Sequence, residues 1–120
     1  MALQNQDITI YGDGSQTRTF CFINDNVDAC VSAFYNDLYV NDVVNIGGNV
    51  EVPILQLAKS IIKITGSKSS VIHLPALEEG DMTRRLPDTS KMRDLLKRDV
   101  TSFEDGLEQV IQHGQFISLL

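Results

Sequence analysis

The stretch Tyr11-Gly12-Asp13-Gly14-Ser15-Gln16-Thr17-Arg18 decides how this chain folds and what it can bind. The residues before it, Ile8 to Ile10, are all β-branched and predict a short strand, which the two glycines bring to an end. Glycine has no Cβ, so a turn built on Gly12 and Gly14 can bend tightly and let a ligand approach the backbone. Arg18 follows the turn, and its guanidinium offers a rigid fork of donors that suits phosphate oxygens.

A second segment, Arg84-Arg85-Leu86-Pro87-Asp88, places two more arginines beside a proline turn. The chain has a net charge of −6 and only ten Lys and Arg residues, which disfavours nucleic acid and anionic membranes as partners. A phosphate ligand would therefore have to be bound locally. Since consecutive residues of an extended loop point opposite ways, we expect Arg84 to face solvent. Asp88 is as well placed to cap a following helix as to contact a ligand.

Length and composition are those of one soluble globular domain. The 120 residues are 42% apolar and 22% charged, which suffices for one modest core and is too apolar for a disordered chain. No apolar run is as long as a membrane span and residues 1–10 lack the features of a signal peptide, so we expect a cytoplasmic protein. Cys21 and Cys30, with His73 and His113, show no zinc-ligand spacing, so we predict no metal and two reduced, packed thiols.

Apolar periodicity predicts a small mixed α/β domain of about three short strands and four helices. Residues 1–7 are polar and predict a lead-in, followed by a single domain over residues 8–120. The predicted strands cover residues 8–11, 43–46 and 71–74, and the predicted helices cover residues 23–38, 54–65, 89–97 and a last segment from Ser102. We expect right-handed crossovers to place the first two helices against the sheet.

Particular residues indicate where the helices begin and end. Asn24-Asp25 is the predicted cap of the first helix, Pro53 suits the first turn of the second, and Gly66 suits its left-handed end. Ser102 and Asp105 form a pair like that of a capping box at the start of the last helix. The first helix should bury one apolar face, which consists of Ile23, Val27, Cys30, Val31, Phe34 and Leu38.

Taken alone, a Gly-x-Gly sequence after a strand is weak evidence of a ligand site, because glycine pairs close turns in many folds. Here the glycines occur together with Gln16, Arg18, Phe20 and Asp25, and are followed by Asn45-Ile46-Gly47 and by Arg85-x-Pro87-Asp88. In this combination the chain resembles the NAD-dependent sugar-nucleotide epimerases, dehydratases and decarboxylases, the extended short-chain dehydrogenases, and especially the UDP-glucuronate decarboxylases. The resemblance runs from about Ile8 to Leu107 and is to the C-terminal, substrate-binding part.

The resemblance implies a binding site for a UDP- or dTDP-sugar. The matching positions are Arg18 and Arg85 for the diphosphate, Tyr11, Gly12 and Gln16 near the base and ribose, and by a looser match Asp81 for the ribose hydroxyls. A pair of arginines is physically reasonable, because one alone leaves much of a diphosphate's charge unmet. Tyr11 could equally pack its ring without touching a ligand. His73 alternates with apolar neighbours on the third strand, so we expect it to face outward.

Two motifs of these enzymes are not in the sequence. It has no G-x-x-G-x-x-G to bind a dinucleotide, and no tyrosine followed by a lysine four residues on, the pair that acts as the base. The chain itself would therefore bind no cofactor and supply no catalytic residue, whereas a full-length parent would use NAD and contribute the missing Rossmann domain. The alternatives are a non-catalytic nucleotide-sugar sensor or interaction module, and a plain α/β domain that binds nothing. Uncovered apolar helix faces would make the isolated chain self-associate as a homo-oligomer or leave it only marginally stable.

Overall fold

The computed structural model describes residues 1–77 and 82–113. Within them the fold is mixed α/β, as the sequence predicted. The helices are α1 (Ile23–Tyr35), α2 (Ile54–Thr65), α3 (Ser90–Leu96) and α4 (Phe103–His113), and the strands are β1 (Ile8–Tyr11), β2 (Thr17–Thr19), β3 (Glu51–Pro53) and β4 (Val71–Leu74). A 3₁₀ turn, Ala2–Gln4, precedes them. In these two ranges, no helix combines the length and apolar character needed to cross a membrane.

The strands form two separate two-stranded sheets. β1 pairs in parallel with β4, with Ile8 opposite Val71, and β2 pairs antiparallel with β3, with Arg18 opposite Val52. The predicted strands at residues 8–11 and 71–74 are confirmed. The predicted strand at residues 43–46 is wrong, because that stretch pairs with no strand of the described chain. β2 and β3 were missed, since three residues are too few to show an alternating pattern.

Helix α2 carries the glycine turn at its N-terminal end. The backbone N–H groups of Ile54 and Leu55 donate to the carbonyl oxygens of Gln16 and Gly14, each at 3.0 Å. Gly66 ends the helix in the left-handed conformation with φ of 62°, as predicted, and Pro53 is the residue before its first turn. Since helix N-termini leave N–H groups unsatisfied, the turn's carbonyls fix its position relative to α2.

Helix α1 buries a different face from the one predicted. Asp25 and Ala29 are fully buried, whereas the predicted apolar face is exposed, from 42% at Leu38 to 77% at Phe34. Ala29 packs against Met92 and Leu95 of α3, so α1 lies on another helix and the expected packing on a sheet is wrong for it. Small and polar residues therefore make the buried contact of this helix, which an apolar periodicity cannot show.

The starts of the helices follow the sequence in part, since the N-cap residue of α3 is Thr89, without a side-chain cap bond, and Asp88 lies just before it. Asp88 accepts hydrogen bonds from the backbone N–H and the hydroxyl of Ser90, at 2.9 and 2.6 Å, where α3 begins. The Ser102 hydroxyl accepts from the Asp105 N–H at 3.1 Å, as predicted for α4. The predicted Asn24-Asp25 cap is wrong, because α1 begins after Phe22 without a side-chain cap.

The predicted lead-in is bonded to the rest of the fold, and the two cysteines differ in their burial. Asn5 and Asp7 accept hydrogen bonds from the backbone N–H groups of Lys68 and Ser70, at 2.9 and 2.8 Å. Both cysteines are free thiols. Cys21 is half-buried, and burial raises the pKa of its thiol. Cys30 is exposed, so its prediction as a packed thiol is wrong.

Candidate functional site

The glycine turn is a tightly bonded loop with two residues in left-handed conformations. Gly12 and Gly14 have φ values of 68° and 78°. The Asp13 carboxylate accepts the Ser15 N–H at 2.9 Å, and the Gln16 side-chain amide donates to the Tyr11 carbonyl at 3.1 Å, which closes the loop. The hydrogen bonds from Ser15 hold the pKa of Asp13 below its ordinary value. Two of the predicted ligand contacts, Tyr11 and Gln16, are thus joined within the loop.

Gly14 has a structural role at this point. A Cβ there would lie 2.7 Å from Ile10 Cδ1 and 2.9 Å from Leu55 Cβ, both closer than such atoms approach in proteins. A Cβ on Gly12, by comparison, would meet only Ala76 within 4 Å among the described residues, at 3.6 Å from its Cβ. Gly14 therefore serves the contact with α2, while Gly12 stands where the backbone is open to a ligand.

A cleft of about 340 Å³ lies against the turn. One side is the turn itself and the other is formed by residues that follow β4. Its lining residues are Tyr11, Gly12, Asp13, Ser15, Gln16, Ala76, Leu77 and Thr83. Tyr11 is 49% exposed at its edge. Three of the residues predicted to lie near the base and ribose, Tyr11, Gly12 and Gln16, therefore share one concave surface.

His73 lies outside the cleft and bonds to the turn from β4. It is exposed, as predicted for this strand position, and its Nδ1 lies 2.8 Å from the carbonyl oxygen of Gly12. The Gly12 N–H donates to the Leu74 carbonyl at 3.0 Å. Both polar groups of the Gly12 backbone are therefore bonded to β4, which fixes where the cleft begins.

Arg18 joins β2 to the segment that carries the second arginine pair. Its side chain is half-buried, and its Nη1 donates to the carbonyl oxygens of Thr17 at 2.8 Å and Met82 at 2.6 Å. Alongside, the Thr17 N–H donates to the Thr83 carbonyl at 3.0 Å. Two of the predicted segments, which are more than sixty residues apart in sequence, are thereby in direct contact.

Arg84 is exposed, as expected, and it also forms an ion pair that the sequence did not indicate. Its Nε and Nη2 donate to the two carboxylate oxygens of Glu51 on β3, each at 2.8 Å. The Thr17 hydroxyl donates to the same carboxylate at 2.8 Å. Hydrogen bonds from Arg84 and then Thr17 hold the pKa of Glu51 below its ordinary value. We call Thr17, Glu51 and Arg84 the Glu51 network.

Arg85, by contrast, is exposed, and in the part of the chain that the structure describes no side chain forms an ion pair with it. Asp81, the looser candidate for the ribose hydroxyls, lies outside the described residues. The segment after Arg85 is held in place, because the Asn45 amide donates to the Asp88 carbonyl at 3.1 Å. A Cβ on Gly47 would lie 3.1 Å from Pro87 Cγ. The Asn45-Ile46-Gly47 and Arg85-x-Pro87-Asp88 motifs are therefore in contact.

A buried carboxylate, Asp25, lies away from the cleft. Its oxygens accept hydrogen bonds from Arg98 Nη1 at 2.6 Å and from the Thr101 N–H and hydroxyl at 2.8 and 3.2 Å. Burial raises the pKa of this carboxyl, but the bonds from Arg98 and Thr101 outweigh that effect, so its pKa lies below the ordinary value. Asp25 links α1 to the connection between α3 and α4, and no pattern in the sequence indicates these partners.

Comparison with known proteins identifies the class to which this fold belongs. The family model described as "NAD dependent epimerase/dehydratase family" matches residues 1–47. Two curated relatives are a UDP-N-acetyl-alpha-D-glucosaminuronate decarboxylase of Bacillus cytotoxicus, 36% identical over 92% of this chain, and UDP-glucuronic acid decarboxylase 1 of Danio rerio, 37% identical over 93%. The chain belongs to the NAD-dependent epimerase/dehydratase family.

Solved structures agree with this assignment. A UDP-glucose 4-epimerase of Thermotoga maritima with UDP-glucose superposes with a TM-score of 0.83 at 26% identity, covering 99% of this chain and 38% of that one. A UDP-glucuronic acid 4-epimerase of Bacillus cereus, in complex with UDP-glucuronic acid and NAD, gives 0.75 at 32% identity, covering 90% and 37%. The chain spans 36% of the Bacillus cytotoxicus decarboxylase and 26% of the Danio rerio one.

The N-termini of α1 and α2 do not fit the pyrophosphate of NAD. A dinucleotide pyrophosphate binds to unsatisfied N–H groups at a helix N-terminus. In α2 the N–H groups of Ile54 and Leu55 are already bonded to the glycine turn. In α1 the first turn contains the carboxylate of Asp25. NAD binding is therefore not assigned to these residues.

Proposed function

We propose that this chain is the sugar-nucleotide-binding part of an NAD-dependent decarboxylase, dehydratase or epimerase. One observation supports this most directly. Thr83 lines the cleft beside the glycine turn, and its carbonyl is bonded to the strand that carries Arg18. Arg85 follows two residues later and is exposed. The two candidate phosphate-binding side chains therefore come from distant segments that meet beside one cleft.

The proposed ligand is a UDP- or dTDP-sugar. Tyr11, Gly12 and Gln16 would contact the base and ribose, because they share the concave surface of the cleft. Arg18 and Arg85 would bind the diphosphate. Arg18 would present its positive charge to the phosphates while its Nη1 stays bonded to the carbonyls of Thr17 and Met82. Asp81 stays assigned to the ribose hydroxyls by the family match alone.

The chemistry of the parent enzyme would come from outside this segment. NAD would supply hydride transfer when bound to the Rossmann part, and this chain would bind and orient the sugar nucleotide. None of the described residues around the cleft forms a tyrosine and lysine pair. We propose a lyase activity for the parent, because decarboxylases named for UDP-linked uronic acids are among the relatives. A cytoplasmic parent stays a prediction from the sequence.

The binding proposal is tested by an amide-correlation NMR titration of this chain with UDP and then with dTDP. Amide peaks of Gly12, Gly14, Arg18 and Arg85 should shift with at least one of the two. Arg85→Ala should then weaken binding by about tenfold or more, since hydrogen bonds to charged groups are the strong ones. A well-dispersed spectrum in which no peak moves with either nucleotide would contradict the proposal.

Arg93→Ala is the matched control for that variant. Arg93 is also exposed and lies on α3, outside the cleft. Arg93→Ala removes the same charge as Arg85→Ala. An equal loss of affinity in both variants would therefore show only a change in the overall electrostatic field of the chain. The thermal midpoint of both variants should stay near that of the unmodified chain, because neither side chain is buried.

A further inference from the structure

Three separate contacts hold the segment 82–85 against the β2–β3 ribbon. The Thr17 N–H donates to the Thr83 carbonyl at 3.0 Å, and Arg18 donates to the Met82 carbonyl at 2.6 Å. The third contact is the Glu51 network, in which Arg84 makes two parallel hydrogen bonds of 2.8 Å. The first two contacts fix backbone positions. Only the third fixes a side chain of the segment itself.

The geometry of the Glu51 network is more specific than that of an ordinary surface ion pair. The Glu51 side chain is 24% exposed, and both its oxygens accept hydrogen bonds from Arg84, with Thr17 adding a third bond. Thr17 and Glu51 project from the same face of the ribbon. Thr17 and Thr19 lie two residues apart on β2 and so share a face, and Glu51 is the partner of Thr19 on β3. A bidentate arginine pair restricts direction as well as distance. The orientation of Arg84 is therefore set by β3.

We propose that Glu51 is a positioning residue for the sugar-nucleotide site, which acts by holding Arg84 and so directing the neighbouring Arg85 toward the diphosphate. This inference rests on the proposed function. Arg84 and Arg85 are consecutive in the chain, so holding Arg84 on the ribbon restricts the backbone from which Arg85 projects. Arg85 forms no ion pair with any described residue and needs such a constraint to be preorganised.

A direct role of Arg84 on the phosphate fits the contacts less well. One edge of its guanidinium, formed by Nε and Nη2, is already bonded to Glu51. The Glu51 carboxylate also neutralises the positive charge of Arg84, which would otherwise attract a phosphate. Arg84 therefore belongs to the support of the site, and Arg85 to the contact with ligand.

Glu51→Gln, Arg84→Gln and the double variant test this proposal, with Glu108→Gln on α4 as the control that matches the charge change of Glu51→Gln. The first readout needs no ligand: ¹⁵N relaxation of the Arg84 and Arg85 amides. Order parameters of about 0.8 should fall below about 0.6 in the three network variants and stay unchanged in the control. Unchanged values in Glu51→Gln would overturn the proposal.

The second readout is the affinity for UDP-glucose, measured by the same titration. We expect each single variant to bind about threefold to tenfold more weakly, since one preorganising contact to a charged group is lost. The double variant should bind no more weakly than either single variant, because each change removes the same contact, the one between Glu51 and Arg84. Additive losses, or a much larger loss for Arg84→Gln than for Glu51→Gln, would show that Arg84 binds the ligand itself and would contradict the proposal.

Failure of this inference can be told apart from failure of the proposed function. If the unmodified chain binds none of UDP, UDP-glucose and dTDP, the proposed function fails, whereas the relaxation experiment still reports on the positioning of segment 82–85. If the unmodified chain binds and Glu51→Gln binds equally well, only the positioning role of Glu51 is wrong.

Discussion

At the scale of single residues, Asp25 is the most consequential side chain outside the cleft. It is 0% exposed, yet it accepts three hydrogen bonds from Arg98 and Thr101. Burying a carboxylate is costly unless such partners are present, and here they are. Its position in the first turn of α1 is therefore explained by packing and bonding, and a ligand need not be invoked.

Replacing Asp25 should destabilise the fold. Asp25→Asn keeps the size of the side chain but removes the charge that Arg98 meets, so we expect a loss of about 2 kcal/mol at neutral pH. Urea unfolding followed by circular dichroism would measure it. Asp28→Asn is the control, because Asp28 bonds to the other terminal nitrogen of Arg98 at 2.6 Å but is 56% exposed, so its loss should matter far less. Equal effects of the two variants would contradict the assignment.

The Asp25 contribution should also depend on pH. Its pKa is below the ordinary value of 3.8 in the folded chain, so the unfolded chain takes up the proton first as the pH falls. The stabilisation is full above about pH 3.8 and is lost as the pH drops through the lower folded pKa. The difference in unfolding free energy between the unmodified chain and Asp25→Asn should therefore shrink in strong acid. A difference that stays constant down to about pH 2 would be inconsistent with this.

At the scale of elements, the close contact between the chain at Phe20 and the loop at Gly48 sets the arrangement around β2 and β3. A Cβ on Gly48 would lie 2.1 Å from the Phe20 carbonyl oxygen, so no side chain fits without moving backbone. Gly48→Ala should cost at least about 2 kcal/mol, as overpacking of a rigid site does. Thermal unfolding would measure the change.

Gly66→Ala provides a matched comparison. Gly66 has φ of 62°, but no atom of residues 1–77 and 82–113 lies within 4 Å of its Cβ position, so it tests conformational strain without a clash. We expect a cost of about 1 kcal/mol there. If Gly48→Ala proved no more harmful than Gly66→Ala, the contact with Phe20 would be looser than the structure indicates.

Some elements could be predicted from the sequence, and the reason others could not is physical. The α2 helix, its Gly66 end and the Ser102 start of α4 follow local rules of helix capping. The buried face of α1 could not be predicted, because its core contacts are made by Ala29 and an ion-paired carboxylate. The Glu51 network joins residues more than thirty positions apart, which no local pattern indicates.

The candidate site shows the same division. The glycine turn and the arginine segment were found because their residue types are unusual and occur in a family combination. The two segments meet through Thr17, Arg18 and segment 82–83, which is a tertiary contact that only the structure shows. The assignment of Arg18 and Arg85 to a diphosphate stays a prediction.

At the scale of the whole molecule, the main feature is an apolar surface on α1 and the chain after it. It consists of Phe34, Tyr35, Val40 and Val43, which are 77%, 78%, 68% and 76% exposed. We call it the α1 surface. A groove of about 630 Å³ runs along it toward Leu95. Soluble monomers seldom expose contiguous apolar patches of this kind.

The isolated chain should therefore associate with itself through the α1 surface. Light scattering coupled to gel filtration, over a range of protein concentrations, should give a mass that rises above that of one chain. Phe34→Glu should shift the equilibrium back to the monomer, because a carboxylate on the surface would lose water on association. Val50→Glu is the matched control: Val50 is also apolar and 62% exposed but lies outside this surface, so it should leave the mass unchanged. A concentration-independent monomer with a cooperative melt would contradict the prediction, since it would mean that this apolar area is tolerated in water.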